Sequence, residues 1–182
     1  MNSISILLER LSRVLQNGAH IEGLKPTQWE ALRYLARANR FSRSPGAVTA
    51  YLGVTKGTVS QTLSALERKE LISKQAAASD KRNVDISVTA LGTKYLAKDP
   101  AHSLDMATGN LTTEESSRLA EALEAILVTA LRQRGGKAFG ACKTCRYFKV
   151  DDVGEAPYRC TLLNEALSET DSEQICFEQL SA

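Results

Sequence analysis

The sequence predicts a mainly α-helical protein with one small β-hairpin and a short cysteine-bearing tail. Three observations carry that prediction. Apolar residues recur at helical spacing through most of the first 134 positions. Strict apolar–polar alternation is confined to the neighbourhood of residues 84–88. All four cysteines (Cys142, Cys145, Cys160 and Cys176) fall within the last 41 of 182 residues. The chain is 43% hydrophobic but only 5% aromatic, so a core is available and is built chiefly from Leu, Ala, Val and Ile.

Residues 1–17 read as an amphipathic helix, with Ile4, Leu7, Leu8, Leu11 and Val14 on one side and Gly18 as its stop. Glu9, Arg10 and Arg13 interrupt its apolar run, which excludes a signal-peptide core. No apolar stretch approaches the roughly 18 residues that span a bilayer. A cytoplasmic location without membrane contact is expected.

The next helix begins at Thr27, behind Pro26, where Thr27 and Glu30 fit a capping box. Trp29, Leu32, Leu35 and Ala36 form its apolar face, with Trp29 in the core. Residues 41–46 read as a loop. A short helix from Ala47 to Leu52 ends at Gly53, and the turn Gly53-Val54-Thr55 leads into a helix that runs to Ile72. Val59, Leu63, Leu66 and Leu71 lie on one side of it, while Lys56, Thr58, Gln61 and Thr62 point elsewhere. Two helices joined by a tight glycine turn make a helix-turn-helix.

Ile72–Gln75 and Val84–Val88 then form a hairpin whose tip carries Asp80, Lys81 and Arg82, that is, a wing. A helix from Thr89 to Lys98 is interrupted at Pro100. A second capping box at Thr112–Glu115 opens a long helix to Arg134, with Leu119, Leu123, Ile126, Leu127 and Leu131 along it. Gly135-Gly136 breaks that helix. The expected organisation is a winged helix-turn-helix with helical dimerisation region over residues 1–134, its DNA-binding core at about 27–98. Residues 135–182 form a separate four-cysteine segment.

A formal net charge of +2 does not announce a nucleic-acid binder, so local features must. From Thr55 to Arg82 there are six Lys/Arg against three Asp/Glu. Short polar side chains belong at the N-terminus of a helix that enters the major groove, and Thr55, Lys56, Thr58, Gln61 and Thr62 meet that need. Gly57 permits close backbone approach. Lys74, Lys81 and Arg82 reach phosphates or a minor groove from the hairpin, with Asp80 orienting Arg82.

The runs LKPTQWEALRYLA, VTAYLGVTKGTVSQTLSALERKELI and SDKRNVDISVTALG closely resemble the MarR family of bacterial regulators over about residues 1–133. The resemblance implies a homodimer whose first and last long helices intertwine, bound to a palindromic operator in double-stranded DNA. It also implies a recognition helix in the major groove and Arg82 in the minor groove. Most members are repressors, released by a small ligand or by cysteine chemistry. The leucine stripes of the first and last long helices, which a lone winged helix leaves bare, agree with this.

The last 45 or so residues depart from the family pattern. Their spacing, Cys142-x2-Cys145-x14-Cys160-x15-Cys176, supplies four thiolates for a metal centre. One CxxC followed by two isolated cysteines slightly favours a 4Fe–4S iron–sulfur cluster over Zn2+. Free thiols or a redox disulfide are the third reading. Tyr147, Phe148, Tyr158, Leu162 and Phe177 are placed to form a dry shell, and Asp151-Asp152 reads as a solvated turn. His20 and His102 read as surface loop residues.

No phosphate loop, nucleophile elbow or paired carboxylates occur, so no enzyme is expected. The sequence thus points to a transcriptional regulator responding to redox, iron or gas signals through its tail. Two other readings stay open. One is the same regulator braced by zinc and sensing a small organic effector; the other is a redox protein retaining a winged-helix scaffold.

Overall fold

The computed structural model describes residues 3–17, 23–76, 84–151, 154 and 156–180. Local chemistry sets most of its helix ends. Pro26 opens α2 (Pro26–Arg37), and the Gln28 side chain reaches back to accept from the Lys25 N–H at 2.9 Å. The cap is therefore Lys25, two residues before the expected Thr27, because proline's fixed φ already suits the first helical position. Ser44 caps α3 (Pro45–Leu52), accepting from the Ala47 N–H at 3.2 Å, and Gly53 at φ +63° ends it. Thr55 caps α4 (Lys56–Arg68) in the same way, accepting from the Thr58 N–H at 3.2 Å.

Helix α4 stops at Arg68 rather than at Ile72. Glu70 adopts a left-handed φ of 58°, and Ile72 already begins β1 (Ile72–Ala76). β1 pairs antiparallel with β2 (Val84–Val88), Ile72 opposite Val88 and Ala76 opposite Val84. Of the alternating trio, Ile86 is buried while Val84 and Val88 are half-buried. Asp80, Lys81 and Arg82 at the hairpin tip lie outside the described residues, as do Gly18 and His20.

Thr89 caps α5 (Ala90–Leu96), and its own N–H is held by the Leu71 carbonyl at 3.1 Å. Beyond α5 the buried Asp99 carboxylate meets Arg33 of α2 at 2.8 Å. A short α6 (His102–Thr108) then forms where the sequence suggests only an interruption, and His102 is its exposed first residue. The predicted capping box opens α7 (Thr113–Gln133): the Thr112 hydroxyl accepts from the Glu115 N–H, and the Glu115 carboxylate accepts from the Thr112 N–H at 2.9 Å.

The main core sits among α2, α3, α4 and the hairpin. Trp29, Leu32 and Leu35 meet Val48, Val59, Leu63, Leu66, Leu71 and Ile86 there, all essentially buried. Each such side chain contributes on the order of 1.5–3 kcal/mol when fully removed from water. Ala36, read as part of the apolar face, is exposed. By contrast α1 (Ile4–Asn17) and α7 bury none of their described side chains, and their leucine and isoleucine stripes stand open.

The tail is β-rich. β3 (Gly140–Ala141) pairs with β7 (Ile175–Cys176), and β4 (Phe148–Val150), β5 (Tyr158–Cys160) and β6 (Glu165–Leu167) make an antiparallel sheet. Between β6 and β7 lies α8 (Glu169–Glu173), capped by Ser168. Strands of two or three residues are too short for alternation to reveal. Asp151 is not a solvated turn residue: its carboxylate accepts from the Gly154 N–H and from Arg159, fixing the β4–β5 connection. Among the described residues no helix is long and apolar enough to cross a membrane.

Candidate nucleic-acid interface and cysteine cluster

The first turns of α4 present one polar face to solvent. Thr55, Lys56, Gly57, Thr58 and Gln61 are exposed there, and Val59, Leu63 and Leu66 anchor the opposite side in the core. Thr62, expected on the polar face, is only 7% exposed and turns inward beside Leu63. The 100° step of a helix carries position 62 round to the side of Val59 and Leu66. Ser60 and Ser64 take its place on the exposed surface. Reading α4 as one continuous apolar stripe would have found them, since both fall between the buried positions.

Lys56 and Ser60 line one wall of a groove of about 410 Å³, with Pro45 and Thr49 of α3 and Lys74 of β1 on the others. The Lys74 ammonium lies 2.7 Å from the Glu67 carboxylate, so it is steered by that partner. The small net charge of the whole chain conceals a division. Residues 1–98 carry fifteen Lys/Arg against seven Asp/Glu, whereas residues 140–182 carry four against eight.

All four cysteines are buried and reduced. Cys142 and Cys145 come from one turn, a 3-10 segment (Cys142–Thr144) closed by the Cys145 N–H on the Cys142 carbonyl at 3.0 Å. The β4–β5 pair brings in Cys160 and the β3–β7 pair brings in Cys176. Cys142, Cys160 and Cys176 pack with Leu167 into a second core, flanked by Tyr147, Phe148 and Tyr158 as the spacing suggests. Leu162 is exposed instead, and Phe177 turns to the main core.

A hydrogen bond from the Cys142 thiol to Cys176 favours the Cys176 thiolate and holds its pKa at about 6, against the burial that opposes charge. The same bond, with burial, pushes the Cys142 thiol up. The expected ready-made metal set is not what the structure gives. Among the described residues no three His, Cys, Asp or Glu side chains are placed to hold a metal ion. The thiols are gathered, but hydrogen bonding between Cys142 and Cys176 pairs two of them directly.

The tail does not stand apart from the helices. Phe139 inserts between Tyr51 and Phe177, with ring centroids 5.0 and 5.7 Å away, and also meets Tyr34 edge-on. The loop between α2 and α3 carries most of the remaining contact, which sequence reading missed because isolated loop residues give no periodic signal. Ala38 bridges Ile175, the Asn39 N–H donates to the Ile175 carbonyl at 2.9 Å, and the Phe177 N–H donates to the Ser42 hydroxyl at 2.8 Å.

Residues 22–83 match the MarR family model. The structure is similar to S. aureus MepR in its DNA-binding conformation, at 24% identity and TM-score 0.62, over 71% of this chain and 99% of that one. It is similar to the S. aureus MepR–DNA complex at 24% identity and TM-score 0.58, over 70% and 96%. Likeness to the transcriptional regulator SlyA is 21% identity and TM-score 0.59, over 72% and 96%. No curated protein matches the chain. The chain is thus a winged-helix protein of the fold these structures share, with the MarR pattern carried on its residues 22–83.

Proposed function

We propose that the chain is a MarR-type transcriptional regulator, a repressor, that binds double-stranded DNA as a homodimer in the cytoplasm. The N-terminal half of α4 enters the major groove, with Thr55, Lys56, Thr58 and Gln61 facing base edges and phosphates. Lys74, Lys81 and Arg82 lie along the adjacent backbone and minor groove. The observation that carries this reading is the polar face of α4, exposed around Gly57 while its back is locked into the core. The family match over residues 22–83 and the MepR structure solved with DNA support it. The open stripes on α1 and α7 support dimerisation, since apolar faces of that extent seek a partner.

Selection from a random-sequence duplex library, followed by fluorescence anisotropy, tests this. Lys56→Ala combined with Arg82→Ala should lower affinity for the selected duplex by about 100-fold or more, each base contact being worth about 1–3 kcal/mol. Melting temperature should hold. Unchanged affinity in the double variant would sink the reading.

Gly57→Ala provides a second check. An added Cβ meets nothing closer than the Thr55 hydroxyl at 3.8 Å, so the helix should gain roughly 0.5–1 kcal/mol. The methyl group nonetheless stands on the face turned to DNA. Higher thermal stability with weaker duplex binding is expected; equal binding would place the DNA elsewhere.

In the finer reading, Cys142, Cys145, Cys160 and Cys176 hold a metal centre, a 4Fe–4S cluster by spacing or otherwise zinc. Four buried thiols from three separate segments, wrapped by Tyr147, Phe148 and Tyr158, support it. Such a centre supplies positive charge that favours thiolate over thiol and draws the segments together. Anaerobic purification with metal analysis and an absorption spectrum distinguishes the cases. Absorbance near 400 nm with iron and sulfide means a cluster; a colourless protein with zinc means a brace.

A further inference from the structure

The face of α4 turned toward the hairpin changes character along its length. Lys56, Ser60 and Glu67 follow one another at helical spacing, so they stand in one exposed row. Lys56 and Ser60 border the groove of about 410 Å³, and Lys74 of β1 and Val84 of β2 form its far side. Its floor is apolar, with Val59 and Leu63 buried beneath it.

The polar groups around this groove are unequally engaged. Lys56 has no carboxylate partner among the described residues, whereas Lys74 Nζ lies 2.7 Å from Glu67 Oε2. The Thr49 hydroxyl, at the α3 end, is taken up by the Pro45 carbonyl at 2.8 Å. The Ser60 hydroxyl has no such bond among the described residues and is free to donate. A helix in the major groove and a hairpin at the neighbouring minor groove have a sugar–phosphate strand between them, because such a strand is what separates the two grooves. The gap between α4 and the hairpin is therefore where that strand passes. Weakly polar sugars suit its apolar floor, and phosphates suit the ammonium groups on its rims.

We infer that this groove seats one sugar–phosphate strand of the duplex, with Lys56 and Ser60 on phosphates from one rim, Lys74 from the other, and Glu67 as a brake on affinity. The inference deepens the DNA-binding reading and rests on it. The Glu67 carboxylate competes with phosphate for the Lys74 ammonium and repels the strand. The native chain then binds every duplex more weakly than its cations alone would allow. Phosphate contacts carry no sequence information, so the brake acts on all duplexes alike. Base reading falls to Thr58 and Gln61, which do not line the groove.

Anisotropy with the full chain tests this on the selected duplex and on an unrelated duplex of equal length, each over a range of salt. Glu67→Gln should tighten both by about threefold or more at low salt and steepen the log–log salt slope by about 0.9 per subunit. The ratio of the two affinities should not change. Lys56→Ala should weaken both duplexes by a similar factor and make the slope shallower by about the same amount. Gln61→Ala should instead lower the ratio. All three side chains are exposed, so melting temperatures should hold. A methylphosphonate scan of the selected duplex, neutralising phosphates one at a time, then locates the strand. At one or two adjacent phosphates in each half-site, neutralisation should weaken the native chain yet cost Lys56→Ala little further. The inference fails if Glu67→Gln leaves both duplexes unchanged or tightens only the selected one. It fails equally if Lys56→Ala is as sensitive as the native chain at every phosphate. A native chain that binds no duplex defeats the DNA-binding reading and the inference with it; one that binds while these variants behave like it defeats the inference alone.

Discussion

Gly92→Ala is expected to destabilise the chain by about 3 kcal/mol, lowering its melting temperature by roughly 6–12 °C. A Cβ at this position would stand 2.2 Å from the Leu71 carbonyl oxygen and 2.8 Å from Val88 Cγ1. The oxygen belongs to backbone that also accepts from the Thr89 N–H, so it cannot swing aside. Alanine's better helix propensity returns at most about 1 kcal/mol, which leaves the clash dominant. Since α5 is wedged here against the base of the hairpin, the displaced wing should also weaken duplex binding. Gly109→Ala is the control: its nearest neighbours are 3.4 and 3.5 Å away, within ordinary contact. Calorimetry showing Gly92→Ala as stable as Gly109→Ala would mean that α5 is not seated as described.

The second large effect concerns assembly. Leu123→Glu with Leu127→Glu places two carboxylates on the open stripe of α7, where Leu127 is 57% exposed within the single chain. If this stripe is covered by a second copy, each dimer must bury four charges without partners, at several kcal/mol in sum. The dimer dissociation constant should rise by at least about 100-fold. Sedimentation should then find a monomer with its melting transition intact, and duplex affinity should collapse with the loss of the second recognition helix. A native chain that sediments as a monomer, or a variant that remains dimeric, would remove α7 from the interface.

Much of the helical half was legible because long amphipathic helices advertise themselves. The capping box at Thr112, the glycine stop at Gly53 and the inward set Val59, Leu63 and Leu66 all stand where periodicity puts them. The structure departs from the sequence pattern where two signals compete. Pro26 overrode Thr27 as the start of α2, and Glu70's left-handed turn cut α4 short of a run that still looked helical. Thr62 is polar by chemical type, yet its helical angle makes it a core residue.

The tail was far less legible. Its four cysteines announced a site, but two- and three-residue strands leave no pattern, and nothing in the residues marks Asn39, Arg40 or Ser42 as partners for a segment 130 or so positions later. Phe177 shows the difficulty. As a neighbour of Cys176 it reads as part of the cysteine shell, yet its ring joins Phe139 and the main core. Strand β7 ends at Cys176, and the turn that begins at Phe177 carries its ring away from the cysteines.

The seating of the tail on the α2–α3 loop has a bearing on how the chain unfolds. Phe139 lies against Tyr34, Tyr51 and Phe177, and the Ser42 hydroxyl takes the Phe177 N–H. Loosening the tail therefore opens the edge of the main core to water, so the two halves should melt in one transition rather than two. A disturbance confined to the cysteine-bearing half would then be felt as lost stability in the helices.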